Sequence, residues 1–308
     1  MINMQTSSST PLFDIRQDQS EWSLIDTLLS SDRVPPPQLL KWIGNKQRFA
    51  TLIANEFPAS YGKYYEPFLG SGAVLGAMSP HEGVVGDILK PLIELWQLLQ
   101  IDPQKMYDFY KKTWEEYVVD PKKVYYAVLA SYNQNPNPLD FLFISRTCYG
   151  GVVRFTKQGR MSTPMGPHKP IPPSSFKSRM MLWRNRVRNT TFIHASYEIT
   201  CKDIKEGDVV YCDPPYIDSQ AILYGAQAFV FQDLISEIKK WKKIGAKVAL
   251  SIDGHKKSGK KIVNINIPEG LFERQLLIDG GSSMLKRFQK KDQIMLGEDV
   301  NDRLLLTW

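Results

Sequence analysis

The sequence predicts an α/β protein in which crossover helices connect the strands of a layered sheet. Short apolar runs bounded by Gly, Pro or Asp alternate with stretches of helical pattern, and this alternation is typical of strand–helix–strand units. The predicted strands are 63–66, 83–86, 191–195, 208–212 and 246–251, and the predicted helices between them are 73–78, 90–100 and 230–243. The 308 residues show no internal repeat, so one such sheet is expected.

The chain begins with a segment, 1–36, that we interpret as a polar tail or arm. It starts rich in Ser and Thr and leads into three consecutive prolines at 35–37, which cannot donate to a helix or a sheet ladder. A turn-bearing segment at 39–46 follows, and 49–53 is predicted to be helical. The α/β domain is therefore expected to begin at about residue 37.

The stretch 101–189 departs from this alternation and predicts an inserted, mainly helical domain. Helical tracts at 104–118 and 122–133 precede a segment rich in Gly, Arg and Lys at 146–166. Ser174 then starts a basic helix. We expect this insertion to be the module that reads the substrate.

The α/β domain is accordingly expected to consist of two pieces, 37–100 and 190–308. Within the second piece, 262–267 and 273–278 are predicted to form an antiparallel edge pair, and 304–308 resembles a late strand. The insertion thus leaves and re-enters the domain between its second and third strands.

The composition excludes several classes of protein. Lys+Arg 39 against Asp+Glu 32 gives a net charge of +7, and 43% of the residues are hydrophobic, which is ordinary for a globular chain. The sequence lacks an apolar run of the roughly 18 residues that a membrane span needs, and residues 1–30 lack a secretory signal pattern. Three cysteines and four histidines give neither a disulfide framework nor a metal-binding spacing, so no metal is expected. We therefore expect a cytoplasmic protein, without membrane contact, whose charge suits a polyanion such as nucleic acid.

An acid, two prolines and an aromatic residue follow the predicted strand 208–212, as Asp213, Pro214, Pro215 and Tyr216. Open α/β sheets bind their ligands at the carboxyl ends of strands. The prolines restrict the backbone, so the acid and the adjacent carbonyls are held rigidly. These four residues are the candidate catalytic group; the alternative is a tight turn in which Asp213 only caps the chain.

The second motif is a strand, a glycine-rich turn and a helix start at 64–76. Gly70 and Gly72 allow the backbone to approach a bound cofactor, with amides exposed at the helix terminus. Asp87 closes the next strand, where an acid suits ribose hydroxyls. The spacing G-x-G-x-x-x-G differs from the dinucleotide fingerprint, so alternatives of plain strand–helix packing and of a solvated turn acid stay open.

Four motifs in order carry a resemblance to a known family. Residues 66–72 (EPFLGSG), followed by 213–216 (DPPY), closely resemble the Dam-type DNA adenine-N6 methyltransferases with the alpha motif order. Residues 41–46 (KWIGNK) resemble the amino-terminal element of that family, and 146–166 resembles its Arg-Thr-Cys-Phe-Asn-Gly-Leu-Tyr-Arg segment. The resemblance spans about residues 38–308.

The resemblance implies a Rossmann-like sheet that binds S-adenosylmethionine as methyl donor, with the insertion as target-recognition domain. Asp87 would hold the ribose hydroxyls, and Tyr197, where the family usually has Phe, would pack on the adenine ring of the donor. The residues implied at the donor are Lys41, Trp42, Gly44, Lys46, Glu66, Pro67, Phe68, Gly70, Ser71, Gly72, Asp87, Tyr197 and Asp213.

The chemistry of an adenine amino group agrees with this implication. Its nitrogen is a poor nucleophile because its lone pair is delocalised into the ring. An Asp213 carboxylate and a Pro214 carbonyl that accept both N–H bonds make that lone pair more available. Tyr216 offers a ring for stacking on the target base, which must be flipped out of a duplex at an expected cost of a few kcal/mol.

DNA contacts are expected from the insertion. Arg146 and Arg154 coincide with the family segment, and the basic helix and the lysine clusters at 239–243 and 256–261 add charge. A solvated face is the alternative for each lysine cluster, and for 239–243 it is the one we favour. The candidate DNA-binding residues are Arg146, Tyr149, Arg154, Lys157 and Arg160.

The predicted function is site-specific N6 methylation of adenine in double-stranded DNA. The setting is expected to be bacterial or phage-type, with nucleoid association during action and a cognate restriction endonuclease as a candidate partner. Alternatives are methylation of RNA adenine or of cytosine N4, and a catalytically silent DNA-binding relative. Asp213 favours adenine, because cytosine enzymes more often carry Ser at that position.

Overall fold

The computed structural model describes residues 33–156, 158–215, 229–256, 267–282 and 299–308. Within them, seven strands form one sheet in the order β3-β2-β1-β4-β5-β7-β6, and the predicted α/β class is confirmed. The strands are β1 (Tyr64–Glu66), β2 (Gly83–Asp87), β3 (Thr190–His194), β4 (Val209–Cys212), β5 (Lys247–Lys256), β6 (Arg274–Ser282) and β7 (Asp299–Leu306).

The sheet is parallel from β3 to β5, and β7 runs antiparallel between β5 and β6. Successive strands are added to one side of β1 as far as β3 and to its other side from β4 onward. The carboxyl ends of β1 and β4 therefore flank the point at which ligands bind in open α/β sheets. Both strands are buried along their whole length, and β4 is accordingly a continuous apolar run in the sequence, whereas β1 ends in Glu66.

One predicted strand pairing stays a prediction. Within the described residues β6 pairs with β7, which lies between β5 and β6. Residues 262–266, most of the predicted partner of 273–278, lie outside the described residues.

The helices surround the sheet and form most of the insertion. They are α1 (Ala50–Glu56), α2 (Ala73–Met78), α3 (Lys90–Ile101), α4 (Pro103–Val119), α5 (Pro121–Gln134), α6 (Pro138–Thr147), α7 (Pro173–Arg186), α8 (Tyr197–Thr200) and α9 (Phe231–Ile244). Asp102, Asp120 and Asn137 accept backbone N–H bonds at the starts of α4, α5 and α6, and each is followed by proline. An Asx cap with proline at the first helical position starts a helix and stops its predecessor. The sequence interpretation missed α6.

The insertion shares the hydrophobic core on one face of the sheet. Trp183 of α7 lies edge-on to Trp96 of α3, with ring centroids 5.1 Å apart, and a Cβ on Gly76 of α2 would come within 2.6 Å of Trp183. The same apolar cluster extends to Phe141 and Phe143 of α6. The sheet domain and the insertion are thus packed against each other, and the predicted division into 37–100 with 190–308 and 101–189 stays a prediction.

The end of the predicted arm is packed against the domain. Arg33 donates to the carbonyls of Ala54, Phe57 and Pro58 at the end of α1, and Leu39 and Leu40 are buried. Residues 33–36 therefore belong to the folded body, and the interpretation of most of 1–36 as a tail or arm stays a prediction. Residues 1–32 lie outside the described part of the chain.

Candidate active site

A cavity of about 280 Å³ opens at the carboxyl ends of β1, β2 and β4. Of the residues that the sequence placed at a donor or catalytic site, most line it, as the strand-end rule requires. Lys41 and Gly72 do not. Those that do are Trp42, Gly44, Lys46, Glu66, Pro67, Phe68, Gly70, Ser71, Asp87, Tyr197, Asp213, Pro214 and Pro215.

Asp213 directly follows β4, and its carboxylate is held by an ion pair. Its Oδ1 lies 2.8 Å from Nζ of Lys46. Burial raises the pKa of Asp213, and the Lys46 ammonium opposes that rise. Pro214 and Pro215 continue along the cavity wall, whereas Tyr216 lies outside the described residues.

Lys46 reaches this carboxylate from the turn-bearing segment before α1. Gly44 adopts φ +72°, and its carbonyl accepts a hydrogen bond from Lys46 Nζ at 3.1 Å. Only 4% of the Lys46 side chain is exposed. The resemblance placed Lys46 at the donor; the structure adds that it is the counterion of Asp213, a contact that no local pattern in the sequence indicates.

The glycine-rich turn joins β1 to β2 through Asp87. Gly70 N donates to Asp87 Oδ2 at 3.1 Å, and Leu89 N donates to Oδ1 at 2.9 Å. Burial raises the pKa of Asp87, while both amides oppose that rise. Gly70 has φ +48°, and a Cβ there would lie 2.9 Å from Nε1 of Trp42. Glycine is therefore required both for the left-handed turn and for the close approach of Trp42.

Three aromatic rings form one wall of the cavity. Phe68 and Tyr197 stack with centroids 5.6 Å apart and an interplanar angle of 29°. Phe229, just before α9, stands nearly perpendicular to both, at 5.7 Å and 6.2 Å. Such a wall suits a flat, apolar-faced ligand group. Phe229 was missed from the sequence because no recognisable motif surrounds it.

Glu66 ends β1 beneath the glycine-rich turn and is buried. Its Oε2 accepts a hydrogen bond from the Tyr64 hydroxyl at 2.6 Å. Burial raises the pKa of Glu66 to about 8, the nearby Asp213 carboxylate adds to the rise, and the Tyr64 bond opposes it. Glu66 is therefore largely protonated at neutral pH and acts as a polar, uncharged wall.

Acidic side chains dominate the charge of the cavity. Lys46 is the one basic side chain among the described lining residues, and Asp213 already pairs with it. The remaining acids favour a ligand that carries positive charge. The acids that carry this charge are Asp87, Glu198, Asp213 and Asp233, whereas the protonated Glu66 adds none.

Several lining residues were not predicted, and some carried a usable signal. Ile88 adjoins Asp87, and Ser196 and Glu198 flank Tyr197, so the strand-end rule points to them. Val230 and Asp233 come from the start of α9 and carried no such signal.

Arg146 does not lie where the sequence interpretation placed it. It sits in the last turn of α6, 2% exposed, and its guanidinium donates to the carbonyls of Leu39 at 2.6 Å and Gln38 at 3.3 Å. Burial lowers its pKa. The predicted DNA contact is corrected here: Arg146 ties the segment before Trp42 to the insertion, because two chain carbonyls need a buried donor.

The other predicted DNA-binding residues lie on or next to a hairpin, 152–163. Phe155 and Met161 bridge antiparallel, and Ser162 N donates to the Arg154 carbonyl at 2.9 Å. The side chains of Arg154, Arg160 and Tyr149 are exposed. Lys157 lies outside the described residues.

The basic helix predicted after Ser174 is divided between two roles. In α7, Arg186 and Trp183 are buried, and Arg179 donates to the Gln38 carbonyl at 3.0 Å. Lys177, Arg184 and Arg188 are exposed. In the cluster 239–243, Lys240 pairs with Glu237 and Lys242 with Glu273, which agrees with a solvated face.

The described residues contain neither a metal-binding cluster nor a membrane-spanning helix. No group of three or more His, Cys, Asp or Glu side chains there is arranged to hold a metal ion. None of the helices there is long and apolar enough to cross a membrane.

The chain is similar in sequence to one protein family and to several named methyltransferases. A family model described as D12 class N6 adenine-specific DNA methyltransferase matches residues 42–272. The retron Ec67 DNA adenine methylase of Escherichia coli is 30% identical over 184 residues, 58% of this chain and 63% of that protein. The DNA adenine methylase of Vibrio cholerae is 30% identical over 181 residues, covering 58% and 64%. The type II methyltransferase M.MjaIII of Methanocaldococcus jannaschii is 28% identical over 240 residues, covering 69% and 82%. The chain thus spans a little under two thirds of the first two relatives.

Proposed function

Because the chain belongs to the D12 class N6 adenine-specific DNA methyltransferase family, we propose that it methylates the N6 amino group of adenine in double-stranded DNA, with S-adenosylmethionine as donor. One observation carries the proposal. The Asp213 carboxylate, followed by Pro214 and Pro215, opens into the same cavity as the acids and aromatic rings that suit the donor.

The cavity fits S-adenosylmethionine by charge and by shape. When bound, this group supplies an electrophilic methyl on a positively charged sulfur. The acidic lining favours its positive charge, and the wall of Phe68, Tyr197 and Phe229 suits its adenine ring. Asp87, oriented by the Gly70 and Leu89 amides, has lone pairs left for ribose hydroxyls.

The residues directly after β4 act on the acceptor, which is the adenine amino group. Asp213 accepts one N–H bond of the flipped adenine amino group, and the Pro214 carbonyl accepts the other, which increases the electron density on nitrogen. The donor would supply the methyl group as an electrophile and keep the electron pair of the broken bond, so the chain's own residues have only a proton to remove. Asp213 is then placed to take the proton that the methylated nitrogen loses. Stacking of Tyr216 on the base stays a prediction.

The DNA duplex would lie against the exposed hairpin 152–163. Arg154 and Arg160 present cationic side chains there, and Tyr149 presents a ring, a combination that suits phosphates and bases. A base extruded from the duplex then reaches Asp213.

The wider setting follows from this chemistry. In a bacterial or phage-type setting the enzyme would work in the cytoplasm at the nucleoid, and a cognate restriction endonuclease is its expected partner if it protects host DNA. One relative named as a type II methyltransferase supports that partner.

The test is transfer of labelled methyl groups to duplex DNA, followed by nucleoside analysis. N6-methyladenine from the wild type, and at least about 100-fold slower formation by Asp213→Asn, is the expected result. Methylated RNA adenine or N4-methylcytosine would replace the proposal with one of its rivals. DNA binding with background transfer in both proteins would favour a silent reader.

A further inference from the structure

Three charged side chains from distant parts of the chain meet at the Asp213 end of the cavity. Lys46 precedes α1, Asp213 follows β4 and Asp302 lies in β7. Lys46 Nζ is 2.8 Å from Asp213 Oδ1 and 3.8 Å from Asp302 Oδ2. Asp302 is not among the residues that line the cavity, so it acts on the reaction through Lys46 and through its own charge, and not by contact with a ligand.

Burial makes each of these contacts matter. The Lys46 side chain is 4% exposed and that of Asp302 is 14% exposed. A buried ammonium must be neutralised and hydrogen-bonded, and removal of one partner leaves a buried charge uncompensated. A charge-assisted hydrogen bond measures about 2.7–2.9 Å, so Asp302, at 3.8 Å, acts on Lys46 through charge alone.

The shared ammonium has two opposite effects on Asp213. Lys46 keeps the buried carboxylate ionised and occupies Oδ1, which leaves Oδ2 for the target amino group. A cation paired with Asp213 alone would also make that carboxylate a weaker proton acceptor. A second carboxylate beside Lys46 offsets this weakening, because a like charge favours proton uptake by Asp213.

We propose that Asp302 is a positioning residue for methyl transfer: it holds the Lys46 ammonium between two carboxylates and so keeps Asp213 oriented and basic. The proposal rests on the proposed function, since it assigns to Asp302 a role in that reaction. Asp302 lies opposite Ile278 in β6 and Asp253 in β5, so the antiparallel strand pairing fixes its backbone.

The pH dependence distinguishes this role from a structural one. The negative charge of Asp302 raises the pKa of Asp213, so its removal lowers that pKa and moves the acidic limb of the rate profile to lower pH. Among the described residues, the titratable groups that interact with Asp213 are Lys46, Asp302, Glu66, Tyr211 and Cys212.

The experiment compares single-turnover methyl transfer by the wild type and Asp302→Asn over a range of pH, on DNA carrying a site mapped from methylated DNA of expressing cells. We expect the rate to fall roughly 10- to 100-fold, as for a misplaced catalytic group, with the acidic limb at lower pH and the donor Kd from calorimetry unchanged. Asp302→Glu should keep the acidic limb near its wild-type position. A rate and a profile equal to the wild type overturn the proposal.

Two controls test whether the effect is a general loss of folding and whether Asp302 acts through Lys46. Glu56→Gln removes a carboxylate from the partly exposed pair with Arg274 and should change neither rate nor profile. Once Lys46→Gln has removed the cation, Asp302→Asn should slow the reaction no further; an additive loss overturns the proposal. If Asp302→Asn does not fold, Asp302→Ser takes its place in each measurement.

A readout independent of activity separates this inference from the proposed function. The Nζ nitrogen resonance of Lys46, identified by its loss in Lys46→Gln, should shift in Asp302→Asn. If the wild type transfers no methyl group, the proposed function fails and this shift alone decides whether Asp302 acts on Lys46. An unchanged resonance overturns the inference even where wild-type transfer is normal.

Discussion

The edge of the sheet and the inserted hairpin use charge in opposite ways. At the carboxyl ends of β1, β2 and β4, charged groups are largely shielded from solvent and bonded to specific partners. Asp213 forms an ion pair with Lys46, and Asp87 accepts hydrogen bonds from two backbone amides. On the hairpin 152–163, Arg154 and Arg160 point into solvent.

The difference follows from what each region is expected to bind. A buried site must orient a few atoms of a small donor and one base, so its charges are fixed before binding. A surface that meets a hydrated phosphate backbone gains from exposed cations that release counterions. The insertion also contains a buried, fixed charge, because the guanidinium of Arg146 is buried and donates to two backbone carbonyls.

Replacement of the two strand-end acids tests the buried region most severely. Asp213→Asn should slow methyl transfer by roughly 10²- to 10⁴-fold at saturating donor, since the amide cannot take a proton. Asp87→Asn should instead weaken donor binding, because its amide nitrogen would face a backbone N–H. Single-turnover rates and calorimetry measure the two effects. Equal losses of rate and affinity in both variants would contradict the separation of roles.

A methyl group on Gly70 tests how closely the donor loop must pack. Gly70→Ala should weaken donor affinity about tenfold, equivalent to 1.4 kcal/mol, because it pushes Trp42 away and strains the turn that holds Asp87. Gly159→Ala is the matched control, since its φ is +76° and nothing lies within 4 Å. Both should lose roughly 1–2 kcal/mol of stability; donor titration should separate them, and similar donor affinities would refute this account.

A pair of arginines tests the boundary between the two regions. Arg146→Met should lower the free energy of unfolding by about 1.5–3 kcal/mol, since two carbonyls lose a charged donor. Arg154→Met should leave unfolding unchanged and reduce the salt dependence of DNA binding by about one charge. Denaturant unfolding and binding at several salt concentrations are the measurements. If Arg154→Met lowered the free energy of unfolding and Arg146→Met instead reduced the salt dependence of DNA binding, burial would not separate the structural role from the DNA-binding role.

The pH dependence of the free energy of unfolding offers the most specific test, and its expected effect is the smallest of the four. The folded pKa of Glu66 is about 8, against an ordinary value of 4.5. Between these values the folded state keeps a proton that the unfolded chain releases, so Glu66 makes stability fall as pH rises. Glu66→Gln should remove part of that slope in unfolding measured from pH 5 to 8. Exposed Glu116→Gln should keep the wild-type slope; an unaltered slope in Glu66→Gln would contradict the assignment.

Much of the sheet and many of the site residues were predictable because their signals are local. Continuous apolar runs mark strands buried on both faces, and an acid or glycine turn after such a run marks the ligand-binding end. Asp213, Asp87 and Gly70 were found in this way. Helix α6 was missed, although Asn137 followed by proline is a recognisable helix start.

The sequence by itself determined the family, the order of the motifs and the acids at the strand ends, because each depends on neighbours along the chain. The tertiary structure alone decided which charges are buried and what neutralises them. Lys46, Asp213 and Asp302 meet because β7 inserts beside β5, and Arg146 faces inward because α6 packs against the segment before Trp42. Desolvation depends on atoms brought from distant parts of the chain, so a basic residue in a basic segment carries no sign of whether it will face DNA or the core.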